Sequence, residues 1–160
     1  MTVREQSVPL TATMDLEIVS AEAALFSGSV HKVCLTGTGG ELGIFPGHSA
    51  LLTPIVPGVV RYLPEGKTEE DLLYISGGML EIQPHRVIVL ADTALRSDEI
   101  DEKAALEAKR DAEEIMRESV LFTDRDAAHA EFLRAVAQLK VLDGVRRKKK
   151  KNGRSAQGTE

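Results

Sequence analysis

Gly40-Glu41-Leu42-Gly43-Ile44-Phe45-Pro46-Gly47-His48-Ser49-Ala50-Leu51-Leu52 is the stretch on which the fold turns. Glycines stand where a backbone must bend sharply or take positive φ, and short apolar runs lie between them. The same alternation returns in Tyr74-Ile75-Ser76-Gly77-Gly78-Met79-Leu80-Glu81-Ile82 and closes on Val87-Ile88-Val89-Leu90-Ala91-Asp92. No nucleophile, paired acid and base, or metal cluster accompanies these segments. They read as a shaped surface on a compact β domain, with no catalytic residue and no enzyme chemistry.

Outward from that stretch, residues 14 to about 96 read as strands. Leu16 and Ile18 alternate with Asp15 and Glu17, the period of a half-buried strand. His31, Val33 and Leu35 alternate with Lys32 and Cys34, and Leu80 and Ile82 with Glu81 and Gln83. Pro84-His85 predicts a short hairpin turn. Val87 to Leu90 is continuously apolar, which predicts cover on both faces. Turn signals at Ser27-Gly28, Gly37 to Gly40, Pro46-Gly47, Pro57-Gly58, Pro64-Glu65-Gly66 and Gly77-Gly78 suit a β sandwich or barrel.

The composition changes near Ser97. From there to Leu142 there is no Gly and no Pro, and Ala, Glu, Lys, Arg and Leu dominate. Ser97 or Asp98 is the expected N-cap. Ala104, Ala108, Ala112 and Ile115 make one narrow stripe. Ser119 to Asp124 breaks the pattern, with Thr123 or Asp124 capping a second helix. Ala128, Phe132, Ala135, Val136 and Leu139 then share a face. Alanine buries little area, and apolar burial contributes about 25 cal/mol per Å². A hairpin sealed by alanines is therefore weakly held and able to open.

The expected class is mainly β plus α: an N-terminal antiparallel β-sandwich followed by a C-terminal two-helix antiparallel hairpin. The expected divisions are a flexible leader over 1–13, the sandwich over 14–97, the hairpin over 98–142 and a disordered basic tail over 143–160.

Composition narrows the function. Aromatics make up 4% and Trp is absent, which argues against recognition of bases by stacking. The lone Cys34 cannot form an internal disulfide, so a reducing compartment is expected. No apolar run reaches the roughly 20 residues that span a bilayer. Net charge is −5, unevenly spread: the tail from Asp143 holds seven basic and two acidic residues, leaving 13 basic and 23 acidic elsewhere, a net of −10. The tail could contact nucleic acid or anionic lipid, or simply solubilise the chain end.

Gly37-Thr38-Gly39-Gly40-Glu41-Leu42-Gly43 is no phosphate loop: Leu42 breaks the Gly-x-Gly-x-x-Gly spacing, and no Gly-Lys-Ser/Thr follows. A tight β turn is expected instead. His31, His48, His85 and His129 lack the spacing of metal ligands. His48, after Pro46-Gly47, either hydrogen-bonds its own turn or faces a partner. The acids and the cations Arg110, Arg117, Arg125, Arg134 and Lys140 are mostly a solvated helical face.

These residues resemble the epsilon subunit of bacterial F-type ATP synthase. The resemblance is carried by Glu41-Leu42-Gly43-Ile44-Phe45-Pro46-Gly47-His48, by Leu51-Leu52-Thr53 with Pro57-Gly58, by Ile75-Ser76-Gly77-Gly78-Met79-Leu80-Glu81, and by Val89-Leu90-Ala91-Asp92-Thr93-Ala94. It runs from about Met14 to Val141. It implies a non-catalytic central-stalk subunit on the cytoplasmic face of the bacterial inner membrane, peripheral to it, with no cofactor. Implied partners are the gamma subunit and the ring of c subunits, with alpha and beta reached when the helices extend, and no nucleic acid.

Residue by residue, the resemblance implies that Gly40, Glu41 and Leu42 face the c ring and that Pro46, Gly47 and His48 bind gamma. The helices, with Ala108 and Ala112 on the seam and Arg125, Arg134 and Lys140 on the second helix, become a regulatory element that blocks ATP hydrolysis when extended. Some relatives bind ATP through Ile/Leu-Asp-x-x-Arg-Ala. Here the run is Ile100-Asp101-Glu102-Lys103-Ala104-Ala105, with Ala104 at the arginine position. Of that motif's polar pair Asp101 alone remains, and ATP sensing is not expected.

Overall fold

The computed structural model describes residues 12–155; the leader expected over 1–13 and the tail end over 156–160 lie largely outside them. Nine strands run in chain order: β1 (Met14–Ser20), β2 (Ala24–Gly37), β3 (Gly40–Ile44), β4 (Leu51–Ile55), β5 (Gly58–Pro64), β6 (Asp71–Ile75), β7 (Gly78–Gln83), β8 (Arg86–Ala91) and β9 (Ala94–Leu95). Two helices follow, α1 (Glu102–Glu118) and α2 (Phe122–Ser155).

The strands lie in the order β1-β8-β7-β4-β2-β5-β6-β9, with β3 on β2 and a further β1–β2 pairing. The 14-residue β2 is the hinge of the sandwich. Its first half pairs with β1 and its second half with β3 and β5, so one strand serves both layers. The pairings are antiparallel except β1 with β8, which is parallel. That exception departs from the all-antiparallel expectation. The short turn from Ser20 to Ala23 fixes β1 antiparallel to β2, and β8, on its other side, runs the same way as β1.

The register sorts the side chains. Leu16, Val87 and Ile82 lie opposite one another, as do Ile18, Val89 and Leu80; all six are fully buried, facing Val30, Val33, Leu35, Ile44, Val60 and Ile75 in one core. Phe26 and Tyr62 pack with ring centroids 4.5 Å apart and planes at 49°. The Val87–Leu90 expectation fails on one face: Val87 and Val89 are buried, Ile88 is half-buried and Leu90 is 51% exposed. Continuous apolarity registers burial only if a layer covers the second face, and among the described residues none does.

Two turns match their sequence signals. Gln83 pairs with Arg86 across Pro84-His85, and Gly37 with Gly40 across Thr38-Gly39. Gly78 has φ +138°, and a Cβ there would stand 1.9 Å from the Leu90 carbonyl oxygen. No side chain fits that approach of two backbones.

The helices correct three expectations. Ser97–Glu99 forms a single 3₁₀ turn, and the α1 cap is Asp101, whose Oδ1 accepts from the Ala104 amide at 3.0 Å. The second helix starts at Phe122, so Thr123 and Asp124 lie in its first turn. The expected disordered tail is helical through Ser155, giving α2 34 residues. Gly144, a helix breaker by propensity, sits where a Cβ would meet Leu72 Cδ2 at 2.8 Å. Close packing on the sheet and ion pairs beyond it carry the helix through.

Substituting Gly78→Ala is expected to destabilise the chain by about 3 kcal/mol or more, measured by chemical denaturation. Burial raises the Tyr62 phenol from 10.0 to about 12. Its contribution is complete below pH 10 and lost as pH rises through about 12. Thermal melts of the wild type should therefore fall across that window, and Tyr62→Phe should flatten the fall.

Candidate functional site

The expected contact residues fall at opposite ends of one strand. The β2–β3 turn presents Gly40, with φ +120°, and Glu41, whose carboxylate pairs with Arg61; Leu42 is half-buried. At the far end of β3 the chain turns through Phe45-Pro46-Gly47-His48. The His48 amide donates to the Phe45 carbonyl at 3.1 Å, and the Gly47 amide to Pro84 at 2.8 Å. His48 Nδ1 lies 2.7 Å from the Ser49 carbonyl. A carbonyl only accepts, so Nδ1 carries the proton. The histidine braces its own turn, one of the two roles open to it in the sequence, and Nε2 is left for other company.

Sequence reasoning missed the surface between those ends. Pro54 of β4, Met79 of β7, Leu90 of β8 and Val19 of β1 are successive register partners on the outer face of one sheet. Leu52 lies on the same face, two residues from Pro54, and is 67% exposed. Phe45, at the adjoining turn, is 51% exposed. A contiguous apolar row on an open sheet face marks a contact surface. The available signal was in β4 and β8, where apolar residues occupy outward as well as inward positions.

The hairpin docks on the other side. Val59 and Leu72 of the β5–β6 pair, with Tyr74, meet Ala137, Val141 and Ile100 in a second apolar cluster. Ala128 and Ala135 are buried on the opposite face of α2, as are Ala105 and Ala112 on α1. Residues 135 and 137 lie about 200° apart on a helix, so α2 is the middle layer between α1 and the sheet. The expected α1 stripe is therefore turned: Ala112 is buried and Ala108 half-buried, but Ala104 is exposed and Ile115 is 46% exposed. The Ala137–Val141 face was not foreseen, because its cover comes from strands some seventy residues earlier.

Small side chains leave the hairpin seam open. A cleft of about 860 Å³ between the helices is lined by Ala108, Ala112, Ile115, Ala127 and Ala128. The turn joining the helices exposes Val120, Leu121 and Phe122. A second groove, about 980 Å³, separates α2 from the sandwich and mixes Glu41, Arg61, Glu70 and Lys140 on its walls. The three cations expected to act together do not share a face. Arg125 is exposed, Arg134 pairs with Glu131, and Lys140 lines the groove.

Electrostatics is superficial. Burial raises the Cys34 thiol. Burial also raises Tyr74, partly offset by its hydrogen bond with Gln138. The hydrogen bond from Arg146 lowers the Glu102 carboxyl. Among the described residues there is no cluster of metal-ligating side chains, and no helix is long and apolar enough to cross a membrane.

Residues 13–97 match the family model for the ATP synthase delta/epsilon chain β-sandwich domain, and residues 98–143 that for its long α-helix domain. The chain belongs to the ATP synthase delta/epsilon family. Its relatives include the ATP synthase epsilon chain of Halorhodospira halophila (strain DSM 244 / SL1), 48% identical over 140 residues that make up 88% of this chain and 99% of that one. Two solved structures share the fold. One is a chain of the Euglena gracilis mitochondrial ATP synthase (OSCP/F1/c-ring, rotational state 1), with TM-score 0.61 and 19% identity over 91% of this chain and 85% of that chain. The other is a chain of the Tetrahymena thermophila mitochondrial ATP synthase central stalk/c-ring, with TM-score 0.54 and 13% identity over 82% and 97%. Within this family the helical match stops at residue 143, while α2 continues to Ser155.

Val141 is fully buried at the centre of the hairpin's seat. Val141→Ala is expected to weaken docking by about 2 kcal/mol. Amide exchange should then quicken in α1 and α2 and stay unchanged in β7 and β8.

Proposed function

We propose that this chain is the epsilon subunit in the central stalk of a bacterial F-type ATP synthase, a non-catalytic part of the rotor that also governs ATP hydrolysis. The observation that carries the reading is the division of its surface. A bare apolar row, Leu52, Pro54, Met79 and Leu90, lies on one side of the sandwich, and a weakly sealed hairpin lies on the other. A static binding face and a separable helical element are what a coupling and regulatory subunit needs.

In this reading the apolar row and the Pro46-Gly47-His48 turn bind gamma. The Gly40-Glu41-Leu42 turn, at the other end of β3, meets the polar loops of the c ring. The subunit then sits at the cytoplasmic face of the inner membrane, held there by its partners. Released from the sheet, α1 and α2 extend along gamma toward alpha and beta and stop rotation during hydrolysis. In this reading Arg125, Arg134 and Lys140 meet an acidic partner surface from the extended α2, Arg134 keeping its pair with Glu131 of the same helix. Asp101 spends its carboxylate on the α1 cap, so this reading assigns no ATP site to the hairpin.

The test is steady-state ATP hydrolysis by the matched alpha-beta-gamma head, with the full chain and with a chain ending at Arg96. Inhibition by the full chain, lost on truncation, is the expected result. Equal rates with both, once binding is verified, overturn the regulatory half; failure of both to bind overturns the whole. Ala112→Leu adds bulk at a buried point of the seam, beside the cleft, and is expected to cost the compact hairpin about 1–3 kcal/mol. Hydrolysis in the assembled enzyme should fall accordingly, and an unaltered rate counts against a seam-controlled switch.

A further inference from the structure

We infer that the helical extension beyond residue 143 is an electrostatic strap that holds the hairpin in its compact, docked state. The inference rests on the regulatory reading for its consequence but not for its geometry. Arg146 Nη2 reaches Glu102 Oε2 of α1 at 2.5 Å. Two residues on, Lys148 Nζ lies 3.5 Å from Asp71 Oδ1 of β6, and Lys151 Nζ lies 3.8 Å from Glu69 Oε1 in the strand connection before it. Positions 146 and 148 project about 200° apart on a helix. The extension therefore grips α1 on one side and the sandwich on the other.

The acidic end of the strap is built from Thr68-Glu69-Glu70-Asp71, three adjacent carboxylates. Lys32 pairs with Glu70 at 2.6 Å and Lys67 with Asp71 at 2.7 Å. Neither lysine belongs to the hairpin, so docking adds two cations to a cluster that still carries net negative charge. Gly144 lies against the Leu72 side chain just before the cations, which brings the extension down onto the sandwich there.

Single surface pairs contribute little. Three pairs distributed over both walls of a bistable element act differently, because a small free-energy change resets its populations. The strap also accounts for a sequence in which a −10 body carries a +5 end. In the compact state Arg146, Lys148 and Lys151 are spent on the chain's own carboxylates. Opening releases them.

The test uses the full chain by itself, with spin labels at Glu22→Cys and Glu113→Cys and Cys34→Ser as background. Interlabel distances are read by pulsed electron resonance. Raising salt from about 0.05 M to about 1 M, which shortens the screening length to roughly 3 Å, should raise the open fraction. Reversing the wall with Glu69→Lys and Asp71→Lys should raise it roughly tenfold at low salt. Adding Lys148→Asp and Lys151→Glu should bring it back. Val141→Asp, which disrupts the apolar seat, supplies the open-state reference and shows that the labels sense opening.

A distance distribution unmoved by reversal, or moved and not restored by the compensating pair, overturns the strap. Either result leaves the proposed stalk function standing. Loss of that function would show instead in the hydrolysis assay, with the strap intact.

Discussion

Strand β2 is the constraint on which the other layers depend. Because it pairs with β1 in its first half and with β3 and β5 in its second, it closes two sheets over one core. The inward positions of β1, β7 and β8 are thereby committed: Leu16, Ile18, Leu80, Ile82, Val87 and Val89 are sealed from water, with Met14 and Ala91 buried beside them. What remains is two outer faces with different fates. The β5–β6 face offers Val59, Leu72 and Tyr74, and α2 covers it. The β4–β7–β8 face offers Pro54, Met79 and Leu90, and no element among the described residues covers it.

That asymmetry joins fold to role. A permanent interface calls for apolar area that stays exposed until a partner arrives, and a rigid sheet supplies it at fixed spacing. A regulatory element calls for a seat that can be left. Val141, Leu72 and Tyr74 hold the seat together with Ala137, while the seam between the helices is closed by Ala105, Ala112, Ala128 and Ala135. In the proposed reading the alanine seam, which buries little area, keeps the compact and extended hairpins close enough in free energy for partners to tip. In the proposed reading the end turns at Glu41 and His48, about a strand's length apart, let one small body touch two structures at once.

The α2 helix shows how a local signal and a tertiary demand meet. Its N-terminal half carries a legible stripe, Ala128 and Ala135, which packs on α1. Its second stripe, Ala137 and Val141, lies on the opposite face and reads as ordinary helix composition until the sheet is in place. A helix with two buried faces has no single apolar side, and amphipathic patterning blurs.

The sequence by itself determined the strands with strict alternation, the two-residue turns, the change from β to α near Ser97 and the seam alanines Ala112, Ala128 and Ala135. Each depends on neighbours within a few residues: period, turn chemistry or propensity. It also carried, in the segment from Glu41 to His48, enough ordered detail to place the family. Only the tertiary structure decided which face of β8 stays bare, that β1 runs parallel to β8, that α2 lies between α1 and the sheet, and that the basic end is helical. Those outcomes depend on residues far apart in the chain. Leu90 is exposed because no layer among the described residues reaches it. Residues 143–155 stay ordered because Leu72, Asp71, Glu69 and Glu102 receive them.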